Sequence, residues 1–470
     1  MLFNSYPFLL LFLPLTVLIY YYLRTHNWQR LSRYWLVLAS FVFYAWWNAS
    51  YVIILLTSIS FNFIIGKTLM RTPKRWLLTV GVTGNLLFLG YFKYADFFIA
   101  NVNALFATDW ILLRVALPLA ISFFTFQQIA FLVDAYKGKN TWYGADVYVL
   151  FVVFFPQLIA GPIVHYRDVA KQFASFSQDV PWEDIAKGVT LLTIGLVKKV
   201  VIADTIAPWS DTIFATAEAY GVLHLVDAWA GALAYTLQLY FDFSGYSDMA
   251  LGLGHMFGFT LPINFDSPYK SLSIREFWRR WHITLGAFLR EYLYIPLGGN
   301  RQGDVKTMGN LAITMLLGGL WHGAAWTFVL WGGLHGGYLI FENAWSRISR
   351  DHNLPTIRPL QWLATFLAVV LAWVVFRAEN LTVSLRIYQG MINTESLVFS
   401  PGFFDARMIA TLLVLLVLSV TMPTPVRWVR GEYPKSRWRP NAVTTALGAL
   451  ALVVSIIFMG TVSPFLYFNF

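Results

Sequence analysis

Apolar residues in this chain come in long blocks rather than in alternation. The stretches 7–23, 34–66, 76–92, 115–133, 147–164, 307–341, 359–376, 408–426 and 440–470 contain no Asp, Glu, Lys or Arg. A helix that crosses lipid needs about 20 mostly apolar residues, so these blocks predict spanning helices. The 34–66 block is too long for one helix and predicts a reversal at Trp46-Trp47-Asn48-Ala49-Ser50. The 307–341 block predicts a break near its glycines. Less regular spans are expected around 188–206 and 225–265. The pattern predicts an all-α polytopic membrane protein with about twelve crossings, plus re-entrant or interfacial helices. No linker, low-complexity stretch or internal repeat divides it, so residues 1–470 read as a single membrane-embedded domain, with 440–470 as its final helix and tail.

Composition agrees. The 470 residues are 58% hydrophobic and 12% charged, which excludes disorder and argues against a soluble enzyme. Cysteine is absent, so thiol nucleophiles, Cys-ligated metals and disulfides are excluded. The net charge of +10 resides in short basic runs between apolar blocks. It points to cytoplasmic loops and anionic lipid headgroups, not to nucleic acid. Arg24, Arg30 and Arg33 follow the first block, and Lys67, Arg71, Lys74 and Arg75 follow the third. This puts the N-terminus outside. Arg427, Arg430, Lys435, Arg437 and Arg439 precede the last block and send the C-terminal tail outside too. The first block lacks a basic n-region and a cleavage site, so it reads as a retained helix.

Polar residues at membrane depth are expensive and are functional candidates. Three clusters stand out. In 239–248, Asp242 and Asp248 interrupt an apolar region beside Tyr240, Ser244, Tyr246 and Ser247. They form either a substrate pocket or a broken helix whose polar groups satisfy one another. In 277–299, Phe277-Trp-Arg-Arg-Trp-His282 combines arginine and tryptophan. That composition suits a membrane interface, and it also suits phosphates, which Arg binds in a forked geometry. In 315–337, His322 lies among apolar residues and glycines, with Gly319 and Gly323 at a small-xxx-small spacing that admits another helix. A neutral imidazole there is either a base for a hydroxyl proton or a structural link between helices. His335 lies thirteen residues on and would not share a face with His322 on one helix. Nucleophile elbows, zinc-binding His-Glu-x-x-His, phosphate-binding glycine loops and the His-x4-Asp pattern are all missing.

Taken together, Tyr240–Gly254, Glu276–Asn300 and Leu316–Gly337, with Gly90–Tyr94, Ile159–Pro162 and Phe376–Asn380, resemble the membrane-bound O-acyltransferase (MBOAT) family. The likeness is to its bacterial branch that acetylates exported polysaccharides, alginate above all, with cellulose- and peptidoglycan-acetylating members close by. The resemblance implies a helical bundle with a transmembrane tunnel and an O-acetyltransferase that uses cytoplasmic acetyl-CoA, with no permanently bound cofactor and no metal. It implies His322 as the catalytic histidine and His282 as the second polar position of the active site. Arg279 and Arg280 become candidates for the CoA phosphates, and Tyr240, Asp242, Ser244, Asp248, Trp321 and His335 for the tunnel lining. Expected partners are a periplasmic or membrane-anchored acetyltransferase and the polysaccharide synthesis and export machinery, at the bacterial inner membrane. The C-terminal spacing Phe465, Tyr467, Phe470 also resembles the end of a small partner protein in lipoteichoic-acid D-alanylation. That likeness marks Tyr467 as an acyl-carrier or docking candidate. Two other readings remain: a proton-coupled transporter or exporter that uses the intramembrane His and Asp residues, and a scaffold without chemistry.

Overall fold

The computed structural model describes residues 1–175, 179–219, 221–352, 355, 357–394, 404–433, 438–460, 463, 465 and 466. Their regular structure is entirely helical. Pro7–Thr25, Ser50–Arg71 and Arg358–Arg377 are long and apolar enough to cross a membrane, and Ala406–Thr421 and Ala442–Phe458 are shorter apolar helices. The protein is an all-helical membrane protein. The length-and-apolarity criterion counts fewer spans than the roughly twelve read from block lengths.

Both expected reversals occur. Helix Gln29–Ala45 ends and Ser50–Arg71 begins across the Trp46–Ala49 turn, where the Ser50 N–H donates to the Asn48 side chain at 2.9 Å. Helix Asp304–His322 stops, and Trp326–Asp351 starts three residues beyond Gly323. His322 and His335 therefore stand on different helices, and the single-helix face argument does not apply. Two expectations change. Block 147–164 is not one span: Ala145–Val153 ends, and Phe155–Leu158 restarts with Pro156 in its first turn, where the missing N–H has no partner to lose. Region 239–248 is not a broken helix, because Leu225–Met256 runs through it for 32 residues.

The chain sorts into two compact units. One comprises Met1–Val197, Tyr246–Ile263 and the described residues from Pro425 on; the other comprises Lys198–Gly245 and Asn264–Thr424. In the first, helices are joined by buried amides. Asn62 and Asn85 exchange hydrogen bonds at 3.0 and 2.6 Å, Gln128 donates to Ser58 at 2.7 Å, and Tyr148 donates to Gln128 at 2.8 Å. Such bonds satisfy polar groups that lipid cannot.

The second unit contains a close helix contact. Asp304–His322 packs against Trp326–Asp351 at glycines. A methyl on Gly319 would overlap the Phe328 carbonyl oxygen and press on the Gly332 backbone, and one on Gly332 would overlap the Met315 carbonyl. The backbones touch, as the small-xxx-small spacing around Gly319 predicted. Gly337, on the same helix as Gly332, faces open space. Gly332→Val should therefore destabilise the detergent-solubilised protein by about 1–3 kcal/mol through overpacking. Gly337→Ala should be neutral or slightly stabilising. Thermal unfolding of both variants beside wild type checks this.

Candidate active site

The helix contact determines what surrounds His322, which ends its helix and is buried. The Trp331 ring, one residue before Gly332, stands edge-on to His322 at 5.0 Å, and Phe376 does so at 5.2 Å. Trp321 lies at 5.0 Å from His322 and also approaches His282 at 6.1 Å. One tryptophan ring thus touches both sequence-predicted histidines. His282 is buried and meets Phe243 of helix Leu225–Met256 at 4.8 Å and 90°. It sits between the short helices Ile274–Arg280 and Ile283–Leu289 with φ 42° and ψ 52°. This left-handed conformation is uncommon outside glycine and clusters at functional sites.

His335 joins the same group. It faces Trp331 at 4.8 Å, and its Nδ1 accepts the Trp278 indole N–H at 3.3 Å. The proton of neutral His335 therefore lies on Nε2. Trp278 also lines a cavity of about 720 Å³ with Arg275, Arg279, Arg290, Tyr294, Asn300 and Asn343. A π-helical turn, Arg290–Tyr294, presents both of its end residues to this cavity. Arg275 is held by Asn343 and lies 3.8 Å from Glu342. The Arg279 and Arg290 guanidiniums have no ion pair or hydrogen bond among the described residues. Two unneutralised guanidiniums on one cavity wall suit an anion with several phosphate oxygens. Leu311 and Met315 line the same cavity. His322 follows Met315 by seven residues, two turns on one helix face and about 10 Å along the axis.

Arg280 departs from expectation. Its guanidinium binds Glu276 at 2.9 Å and the Asp266 carbonyl at 3.1 Å, with the Asp266 carboxylate at 3.8 Å, and it does not line the cavity. The reason is helical spacing: Glu276 is four residues away on the same face. The expected tunnel-lining residues divide. Trp321 and His335 lie at the histidines. Tyr240 packs on Phe265 and Tyr269 at 6.4 and 5.1 Å. Ser244 accepts from Lys198 at 3.3 Å. Asp242 is buried in an ion pair with Lys199 at 2.6 Å, and Lys199 also binds Asp204 at 2.8 Å. Asp248 belongs to the other unit. Tyr467 lies outside the described residues.

Residues 143–385 match the membrane-bound O-acyltransferase family. The chain belongs to this family. It is 40% identical over 517 residues to a peptidoglycan O-acetyltransferase of Helicobacter pylori, covering 100% of this chain and 98% of that protein. It is 40% identical over 501 residues to a probable alginate O-acetylase AlgI of Pseudomonas putida, covering all of both. A teichoic acid D-alanyltransferase of Streptococcus thermophilus is 29% identical over 284 residues, spanning 55% of this chain and 68% of that protein. This MBOAT protein is an acyltransferase. The family match contains His282, His322, His335 and every charged residue of the cavity wall.

Lys199, Asn264 and Trp331 were not among the sequence candidates, whereas Arg275 and Arg290 lie at the two ends of the basic, Trp-rich segment 275–290 that was expected to meet the CoA phosphates, with Arg279 and Arg280 as its leading candidates. Lys198-Lys199 inside the apolar 188–206 region was a legible signal, since lysines at that depth require partners. Nothing in the sequence tied Asn264 to His282. Removing Lys199 takes away the cation shared by buried Asp242 and partly exposed Asp204. Lys199→Met should therefore cost about 3–5 kcal/mol of stability, and more than Asp242→Asn, which leaves Lys199 with Asp204. Lys199→Met with Asp242→Leu should recover much of the loss, as thermal unfolding of the three variants will read.

Proposed function

We propose that this protein is an O-acetyltransferase of the bacterial inner membrane, with both termini on the periplasmic side. It takes acetyl groups from cytoplasmic acetyl-CoA and moves them toward hydroxyls of an exported polysaccharide. The observation that carries this reading is the pair of guanidiniums, Arg279 and Arg290, on a cavity two helical turns from His322 along one helix face. CoA is a donor with phosphates at one end and a thioester at the end of a long arm, so it suits that separation. The names of the relatives, which act on peptidoglycan and alginate, support acetyl as the acyl group and a polysaccharide as the destination.

The chemistry is direct transfer. The acceptor oxygen attacks the thioester carbonyl carbon as a C–O bond forms and the C–S bond breaks. His322 takes the hydroxyl proton and returns it to the departing thiolate. The chain has no cysteine, so no thioester intermediate forms on it. A periplasmic acetyltransferase then receives the group. Tyr467 is the proposed carrier at that step. Support comes from its neighbours within one unit: Phe465 is buried against Tyr246 at 4.8 Å, Tyr246 stacks on Phe3 at 4.7 Å, and Asn4 donates to the Ser463 carbonyl at 3.1 Å. The stretch before Tyr467 is therefore anchored on both sides of Pro464. The transporter reading is weaker, because Asp242, its leading proton acceptor, is already neutralised by Lys199.

Three variants test the reading with purified protein and labelled acetyl-CoA. His322→Ala should lower acetyl transfer by roughly 100-fold or more while the protein stays monodisperse; near-normal transfer would remove His322 from the mechanism. Arg279→Gln with Arg290→Gln should raise the KM for acetyl-CoA by about tenfold or more, with a smaller effect on kcat. An unchanged KM would make this segment an interfacial anchor. Tyr467→Phe keeps the shape and removes the hydroxyl, and should abolish polymer acetylation; a normal level would reduce the tail to a docking element.

A further inference from the structure

Asn264 is buried, and three groups converge on its side-chain oxygen. They are the Thr284 backbone N–H at 3.3 Å, the Thr284 hydroxyl at 2.9 Å and His282 Nδ1 at 3.1 Å. A backbone N–H is always a donor, so the amide must turn its oxygen, not its nitrogen, toward Thr284. An amide oxygen cannot donate. The ring nitrogen that faces it must then carry the hydrogen. The Asn264 main chain adds a second hold, since its carbonyl accepts the Ile283 N–H at 3.0 Å. Main chain and side chain of one residue thus grip residues 282–284. The His282 ring is further confined by Phe243, edge-on at 4.8 Å, and by Phe265, stacked at 6.5 Å.

We infer that Asn264 is a positioning residue that holds His282 as the Nδ1–H tautomer, with the lone pair on Nε2. The inference rests on His282 being part of the active site. Neutral His282 then has no Nε2–H with which to polarise a thioester carbonyl. It acts as an acceptor, of a proton or of a hydrogen bond, and the donor to the carbonyl oxygen is another group. His335 is held in the opposite state, with Nδ1 accepting from Trp278 and the hydrogen on Nε2. The two buried histidines beside His322 are thus set to complementary hydrogen-bonding roles by their neighbours.

The test is nitrogen-15 NMR of the full-length protein, labelled at histidine and held in lipid nanodiscs. The His282 signal is assigned by its loss in His282→Ala, and the His335 signal by its loss in His335→Ala. At neutral pH, His282 should show a protonated Nδ1 and an unprotonated Nε2, and His335 the reverse. A wild-type His282 protonated on Nε2 overturns the inference, whether or not acetyl transfer is the activity. In Asn264→Leu the His282 signal should shift toward the Nε2–H form. The kcat should fall by about tenfold or more, up to the roughly ten-thousandfold of a misassigned tautomer, with the KM for acetyl-CoA within about twofold of wild type. Asn264→Asp should restore part of that loss, because a carboxylate also accepts from Nδ1. An Asn264→Leu protein with the wild-type spectrum and wild-type kcat overturns the assignment. If Asn264→Leu does not fold, the wild-type spectrum alone decides.

Discussion

The backbone contact between Gly319 and Gly332 is the constraint on which the rest of the site depends. Lipid supplies no hydrophobic drive between helices, so close approach must come from small residues at the crossing. Here the approach has a second consequence. It brings the Trp331 ring edge-on to both His322 and His335, and those rings in turn meet Phe376 and Trp373. The histidines therefore sit in a densely packed aromatic setting. Aromatic rings in edge-on pairs contribute about 0.5–1.5 kcal/mol beyond their burial. Such contacts restrict the orientation of the imidazole. A fixed imidazole is what proton transfer to a bound hydroxyl needs.

The same economy governs the charges. Asp242 lies one residue before Phe243, which braces His282, and it is neutralised by Lys199. Within the unbroken 32-residue helix through the polar 239–248 region, the Asp242 charge is paired with Lys199 of another helix. Arg280 is likewise consumed by Glu276 and Asp266, and these contacts fix the turn that leads into His282. Only Arg279 and Arg290 on the cavity wall keep their charge for a ligand among the described residues. Structural and functional cations can thus be separated by asking which of them already have partners.

Block lengths in the sequence showed where chain reversals fall, because a glycine-rich or Trp-Asn-Ala break inside an overlong apolar run has few alternatives. They overstated 147–164, where Pro156 divides the block into two short buried helices. His322 and His282 were legible through motif likeness, and the structure brings both against Trp321. What the sequence could not reveal were partners far along the chain. Asn264 reaches His282 across 18 residues, Trp278 reaches His335 across 57, and Lys199 reaches Asp242 across 43 positions. Such pairings are set by helix packing, which leaves no local pattern. Arg280 and Arg279 look equivalent in sequence. The presence of Glu276 one turn before Arg280 separates them, and only the folded backbone shows which of the two faces the cavity.

In the proposed reaction the cavity and His322 serve one donor molecule. A structure of the protein in nanodiscs with a non-hydrolysable acetyl-CoA analogue tests this most directly. The account predicts phosphate oxygens at hydrogen-bond distance from Arg279 and Arg290, and the thioester carbonyl carbon within reach of a hydroxyl held by His322, about 3–3.5 Å from the attacking oxygen. An analogue bound with its phosphates away from these arginines, or with its acyl end remote from the ring of His322, would contradict it.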